Sequence, residues 1–327
     1  MTRRGVTWRR RWLGLLSTVV LLCVGAGTVA GCTPEYARER DQYVIAGGNP
    51  AGVYSRYGTE LAAAMTAELP ISVETSETQG SVDNLRRVAA GEAFLGFAQG
   101  DTAADAVVGS GEFARPLPIR AVARVYDEYV HIVVPEDSPI MSLSDLAGRP
   151  VSLGSRDSGV QVIAGRLFEA TGLSIDDVQN AALGVDDSIT ALREGKIEAF
   201  FWVGALPTPG IEQLAEGTPI RMVAIGPDTI ARVNEGHAGV YRVADFPSGS
   251  YGVERHVTTM TVPNYLVTSA AAPEALIADA LDVLFRSRAT IAGEVRAAEF
   301  LDRRQAIFTA PVALHSGASR YYVDSRR

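Results

Sequence analysis

A short apolar strand that enters a Gly- or Ser-rich loop and then a helix occurs twice in this chain. That unit restricts the fold more than any other feature. Tyr43–Ala46 runs into Gly47-Gly48-Asn49-Pro50-Ala51-Gly52, and a helix is expected from about Tyr54 to Ala67, with Leu61, Ala64 and Met65 at helical spacing. Pro150–Leu153 runs into Gly154-Ser155-Arg156-Asp157-Ser158-Gly159, with a helix expected from Val160 to Ala170 and a stop at Gly172. Around these units the alternation continues. Strands are expected at Ile71–Thr75, Phe94–Ala98, Ala199–Val203 and Arg221–Ile225. Helices are expected from Ser81, as cap, to Ala90, then from Gln99-Gly100-Asp101, and from Asp187 to Glu194. Strand–helix alternation implies largely parallel sheet covered by helices.

The spacing predicts two such lobes. Ile119–Val125 and Tyr129–Val134 read as two strands closing the first lobe, and the polar stretch Pro135 to Pro139 as the crossing into the second. Thr258–Thr268 is strand-like and returns the chain to the first lobe, where Glu274–Phe285 and Ala289–Ala298 are closing helices. The expected organisation is residues 43–134 as the first part of lobe 1, 135–257 as lobe 2, and 258–327 as the hinge return and second part of lobe 1.

The first 31 residues read as an address. Arg3, Arg4, Arg9, Arg10 and Arg11 form a basic head, an apolar run extends from Trp12 to about Val29, and Val29-Ala30-Gly31-Cys32 ends it. That is the layout of a secretory signal peptide. The small residues before Cys32 resemble the lipobox of bacterial lipoproteins, in which this cysteine is acylated and anchors the mature chain outside the cytoplasm. An uncleaved membrane anchor would not require the Ala-Gly-Cys ending. The basic head leaves both general and twin-arginine export open. Residues 32–42 read as a tether.

Cys23 and Cys32 are the chain's two cysteines, and Cys23 lies in the segment to be removed. Disulfides and cysteine metal clusters are thereby excluded, and about 295 remaining residues must be held by their core. Removing five arginines and no acid takes the formal charge from -8 to -13, which disfavours nucleic acid as a partner.

Enzyme chemistry finds little support. His131, His237, His256 and His315 are scattered without metal-ligand spacing, and no G-x-S-x-G elbow is present. Asp176/Asp177 and Asp186/Asp187 fall where helix caps are expected. The glycine loops match neither the dinucleotide nor the phosphate-loop pattern, and the one lysine, Lys196, follows a helix-ending glycine. No catalytic residue, metal or cofactor is expected. What the two loops can do is bind anions, because free backbone N–H groups and the positive end of the dipole meet at a helix start. Two such sites facing one cleft suit a small dicarboxylate or amino acid; either loop alone is also an ordinary α/β turn. Phe200-Phe201-Trp202 reads as core, with Trp202 at the strand end open as a ligand wall.

Seven segments together resemble the TAXI family, the solute-binding proteins associated with TRAP transporters. They are GGNPAGVYSRYG (Gly47–Gly58), ETQGSVDNLRRVAAGEAFLGFAQGD (Glu77–Asp101), LAGRPVSLGSRDSGVQVIAGRLFEATGL (Leu146–Leu173), IEAFFWVGALPTPGIEQLA (Ile197–Ala215), FPSGSYG (Phe246–Gly252), TVPNYLVT (Thr261–Thr268) and LHSGASRYY (Leu314–Tyr322). They cover nearly all of the mature chain, in the family's order. The resemblance implies an α/β, two-lobed periplasmic-binding-protein fold of type II, each lobe a mixed sheet flanked by helices, with a ligand cleft between them. It implies a small carboxylated solute of the glutamate, glutamine or 2-oxoglutarate class, and TRAP membrane permease subunits as partners. The alternative role is sensing, with the closed form presented to a membrane receptor kinase.

Carried onto this chain, the resemblance places the backbone of Gly48 and Gly52, with Tyr54, on one ligand carboxylate. Ser81, Asn84 and Gln99 add neutral hydrogen bonds. Ser155, Ser158 and Gly159 hold the other end, Trp202 and Gly204 line the wall, and Tyr251 contributes from its turn. Ser81 and Ser158 are also expected helix caps. The chain departs from the family at Asn49-Pro50-Ala51, at Ser55 and at the Arg156-Asp157 pair. Arg156 could meet a ligand carboxylate, Asp157 or another surface acid.

Overall fold

The computed structural model describes residues 42–325 apart from Ala238. The expected signal peptide, Cys32 and all but the last residue of the tether lie outside the described residues.

The first lobe begins with β1 (Gln42–Ala46), α1 (Val53–Glu68), β2 (Ser72–Ser76), α2 (Ser81–Ala90), β3 (Leu95–Gln99) and α3 (Gly100–Val108). The chain then enters β4 (Ile119–Pro135). The second lobe adds β5 (Pro150–Ser152), α4 (Gly159–Ala170), β6 (Gln179–Asn180), α5 (Val185–Arg193), β7 (Ala199–Gly204), α6 (Pro209–Gly217), β8 (Ile220–Met222), α7 (Pro227–Glu235) and β9 (Arg242–Asp245). Strand β10 (Thr258–Ser269) returns to the first lobe, which α8 (Glu274–Arg286), α9 (Arg288–Glu294) and α10 (Ser316–Asp324) complete. The helix expected over Ala289–Ala298 is α9 followed by a 3-10 turn, Arg296–Phe300.

Strand order is β2-β1-β3-β10-β4-β7-β5-β6, with β8 against β4 and β9 against β10. In each lobe three strands are parallel (β2-β1-β3 and β6-β5-β7), and they meet antiparallel long strands. The long strands, β4 and β10, pair with each other from Thr261↔Tyr129 to Ser269↔Ile119 and run through both lobes.

This corrects two expectations. The two strands at Ile119–Val125 and Tyr129–Val134 are one. The crossing also lies inside it rather than at Pro135–Pro139: Tyr129–Val133 already pair with β7, while Val130, Ile132 and Val134 sit in the second lobe's core. The physical reason is that a long strand can change the core it serves without a break, because its ladder partners change while its backbone stays extended.

Each lobe buries apolar residues on both faces of its sheet. In the first, α1 and α8 cover one face around Tyr57, Leu61, Phe97 and Leu281, and α2 and α3 cover the other around Leu85, Val88 and Ala106. In the second, α4 and α7 pack around Ile163, Phe168 and Ile230, opposite α5 and α6 around Ile189 and Leu214. Helices on both faces leave the ends of the parallel strands as the place where loops from both lobes meet.

Candidate functional site

Five helices start at one enclosed cavity between the lobes. The residues preceding them, Gly52 (α1), Gly80 (α2), Gln99 (α3), Ser158 (α4) and Gly184 (α5), all line it. In four of the five no side chain caps the helix; the exception is α4, where Ser158 Oγ accepts from Gln161 N at 3.2 Å. A helix start leaves N–H groups unpaired and carries partial positive charge. The cavity therefore collects positive potential from backbone, and among the described residues no Lys, Arg or His lines it.

Gly48, Gly52, Tyr54, Ser81, Gln99, Ser155, Ser158, Gly159, Trp202 and Gly204 are brought together here. Their roles are not all as expected. The N–H of Gly48 donates to Thr78 Oγ1 at 2.8 Å and that of Gly52 to Asn49 O at 2.9 Å. These groups shape the loop, with Gly48 in the left-handed region at φ +71°, and the free donors belong to the α1 start that follows. Ser81 is not a cap: it is the first residue of α2, and its Oγ accepts from Gln99 N at 3.1 Å, tying α2 to the end of β3. Ser155 Oγ donates across the cleft to Gln79 O at 3.1 Å.

Asn84 and Tyr251 lie away from the cavity. Asn84 is fully buried, accepts from Thr78 Oγ1 at 2.5 Å and donates to Phe97 O at 2.8 Å. Both ends of its amide are used to brace the loop before α2 against β3. Tyr251 Oη accepts from Thr208 N at 2.8 Å and lies 3.0 Å from His131 Nε2. Thr208 Oγ1 in turn accepts from Trp202 Nε1 at 2.9 Å. Tyr251 thus acts behind the wall, holding the loop that orients Trp202. Arg156 is exposed and lines an outer groove, and it is Arg86 that meets Asp157, at 2.6 Å. Asp176 and Asp177 form a capped turn with Ser174, and Asp186 and Asp187 lie in the first turn of α5.

The lobes touch tightly. A Cβ added at Gly159 would lie 2.1 Å from Gln99 Oε1 and 2.8 Å from Ser81 Oγ, and one at Gly52 would lie 3.3 Å from the Trp202 ring. Beyond the cavity, Arg166 of α4 pairs with Asp101 at 2.5 Å and with Asp105, both of α3. Tyr241 Oη donates to Asp101 at 2.6 Å. This is the closed arrangement of the two lobes.

The acidic lining residue escaped the sequence reading. Glu128, near the middle of β4, is fully buried at the cavity floor. Tyr54 Oη donates to it at 3.1 Å, Tyr126 Oη at 3.3 Å and Asn264 Nδ2 at 3.4 Å. Burial pushes its carboxyl up to about 8, against the opposing hydrogen bonds of Tyr54, Gln99 and Tyr126. The signal that could have found it is the period of two, which puts Glu128 on the inward face with Tyr126 and Val130.

The sequence model of the family described as NMT1-like matches residues 45–325. Among solved structures, PhnD1 from Prochlorococcus marinus (MIT 9301), in complex with methylphosphonate, is similar at TM-score 0.54 and 10% identity, over 88% of this chain and 96% of that one. A putative L-cystine ABC transporter from Listeria monocytogenes is similar at TM-score 0.51 and 13% identity, over 80% and 99%. A structure described as a periplasmic transporter is similar at TM-score 0.50 and 17% identity, over 87% and 92%. The architecture is the two-lobed periplasmic-binding-protein fold, α/β, with each lobe a mixed sheet flanked by helices.

Proposed function

We propose that this chain, which belongs to the NMT1-like family, is an extracytoplasmic solute-binding protein that captures a small carboxylated molecule and delivers it to a membrane transporter. One observation carries the reading: five helix starts, contributed by both lobes, converge on one cavity between them that no basic side chain among the described residues lines. Such a site holds an anion by backbone N–H groups, and it is complete when the lobes are together. A fold that encloses a small anion, with no nucleophile–base pair among the lining residues, fits binding rather than catalysis.

Finer assignments rest on the sequence. The seven segments that resemble the TAXI family support a TRAP-type permease as the partner, and acids of the glutamate, glutamine or 2-oxoglutarate class as ligands. Val29-Ala30-Gly31-Cys32 supports export and attachment to the membrane through lipidated Cys32.

The test is a thermal-shift screen on Thr33 to Arg327, denatured and refolded to strip captured solute. The panel holds glutamate, glutamine, aspartate, 2-oxoglutarate and succinate. A ligand bound only by the folded protein stabilises it by about 2.7 kcal/mol at 100 times its Kd. A saturable shift with at least one acid is expected. A refolded protein that shifts with none of them would overturn the carboxylate reading.

A further inference from the structure

We infer that Glu128 receives a positively charged ammonium group of the solute, so that the cavity selects ammonium carboxylates over oxo acids and plain dicarboxylates. This rests on the reading of the cavity as a carboxylate site and goes beyond it by naming a second recognised group and its receptor.

The cavity is two-sided. Helix starts supply donors and positive potential around it, and the floor supplies acceptors. Glu128 is the one carboxylic acid among the lining residues. Beside it Gln99, 2% exposed, has Oε1 buried without a hydrogen-bond partner, and directly behind, Asn264 Oδ1 is likewise buried and unpartnered. An orphaned acceptor and a carboxyl side by side in the cavity wall suit a hydrogen-bond donor from outside the protein, since a buried acceptor left unpaired costs about 1–3 kcal/mol.

The charges around Glu128 point the same way. Facing it are Tyr54 from α1, Tyr126 on β4 and Asp101 at the start of α3, with neutral Gln99 on β3 and Asn264 on β10. The two tyrosines stay neutral because burial pushes both hydroxyls well up. Asp101 repels a charge on Glu128, and its own countercharge, Arg166, is engaged with Asp101 and Asp105. Among the described residues no cation neutralises Glu128, so a buried carboxylate here depends on one brought in.

With burial pushing its carboxyl up to about 8, Glu128 without ligand is mainly protonated at pH 7. An ammonium placed against it favours the carboxylate, and that proton leaves to solvent. A ligand without the ammonium leaves the proton in place.

The test is calorimetry on the refolded protein with two matched pairs, L-glutamate against 2-oxoglutarate and L-aspartate against succinate, in two buffers of different ionisation enthalpy at pH 7. The expected result is that the amine member of at least one pair binds tenfold or more tightly and releases up to one proton. The release should vanish at pH 9, where Glu128 is already ionised. In E128Q the release is lost and the preference for the amine member over its partner falls at least tenfold. Equal affinity within the pairs, or an E128Q protein that keeps both preference and proton release, would overturn the inference and leave the carboxylate reading intact. No binding by any of the four acids would overturn the carboxylate reading itself, and this inference with it.

Discussion

Gly159→Ala separates closure of the lobes from stability of the fold. Gly159 is the first residue of α4, in the second lobe, and its φ lies outside the left-handed region, so alanine fits the backbone there. Within its own lobe the substitution favours the helix, and Gly→Ala at a compatible helical site stabilises by about 0.4–1 kcal/mol. Across the cleft the result is opposite. The new methyl would lie 2.1 Å from Gln99 Oε1, 2.6 Å from Gln99 Cδ and 2.8 Å from Ser81 Oγ, all in the first lobe. These contacts must open to about 3.4 Å or more, and Gln99 cannot simply swing aside. It is 2% exposed, and the free direction is the ligand's own space. Overpacking of this kind costs about 1–3 kcal/mol, and it falls on the closed state alone. Ligand affinity should drop about 5- to 150-fold, while the ligand-free protein is unchanged or slightly more stable to urea. Calorimetry with the acid found by the thermal screen, beside urea unfolding without it, reads both quantities. Unchanged affinity would refute the reasoning, because the two lobes would then not meet at Gly159 when the solute is held. A large loss of stability without ligand would refute it too, by placing the contact inside the fold.

Other consequences follow from interactions away from the cavity. Arg166→Met removes the cation that bridges Asp101 and Asp105 across the lobes; since opening lets both acids rehydrate, the change should weaken ligand about 10- to 100-fold rather than unfold the protein. Calorimetry, with small-angle scattering for the open fraction, checks this, and an unchanged affinity would count against an interlobe role. His131 is fully buried, donates through Nδ1 to Tyr129 O, accepts at Nε2 from Tyr251 Oη, and is pushed down to about 4 chiefly by burial. Its unfolded form takes a proton near 6.5, so its contribution is complete above that pH and is lost as pH falls towards 4, by about 3 kcal/mol in all. Urea unfolding from pH 7 to 4 should show a shallower acid loss in His131→Gln than in the parent; identical slopes would remove His131 as the cause.

Much of the cavity was legible because its parts are local. A strand ending in a Gly- or Ser-rich loop that opens a helix is a pattern of about fifteen consecutive residues, and both such units line the cavity. The start of α5 at Gly184 also reaches it, and there the preceding strand is only Gln179–Asn180, too short to announce itself. Glu128 was hidden for a different reason. Arg124–Tyr129 carries Arg, two acids and two tyrosines, which resembles a polar break between strands, whereas pairing on both edges keeps β4 continuous through it. Burial of a charge there depends on Tyr54, Tyr126 and Asn264, which three separate elements deliver. Asn84 and Tyr251 show the converse. Asn84 was assigned from a motif whose Gly80 and Ser81 border the cavity, Tyr251 from a turn that lies behind it, and each side chain is consumed by its own scaffold, Asn84 by Thr78 and Phe97, Tyr251 by Thr208 and His131. Sequence spacing gives the neighbourhood of a side chain; which way it faces is decided by the tertiary partners that satisfy it.

The most direct test of the central claim is to identify what the protein carries. The full chain, residues 1–327, is produced in an exporting bacterial host, purified without denaturant, then unfolded, and the small molecules released are identified by mass spectrometry. The account calls for a small carboxylate in near-stoichiometric amount that rebinds after refolding, and for one that bears an ammonium group if Glu128 acts as inferred. A stoichiometric, rebinding ligand without a carboxylate would contradict it, because the five helix starts would then face something other than the anion they are built to hold.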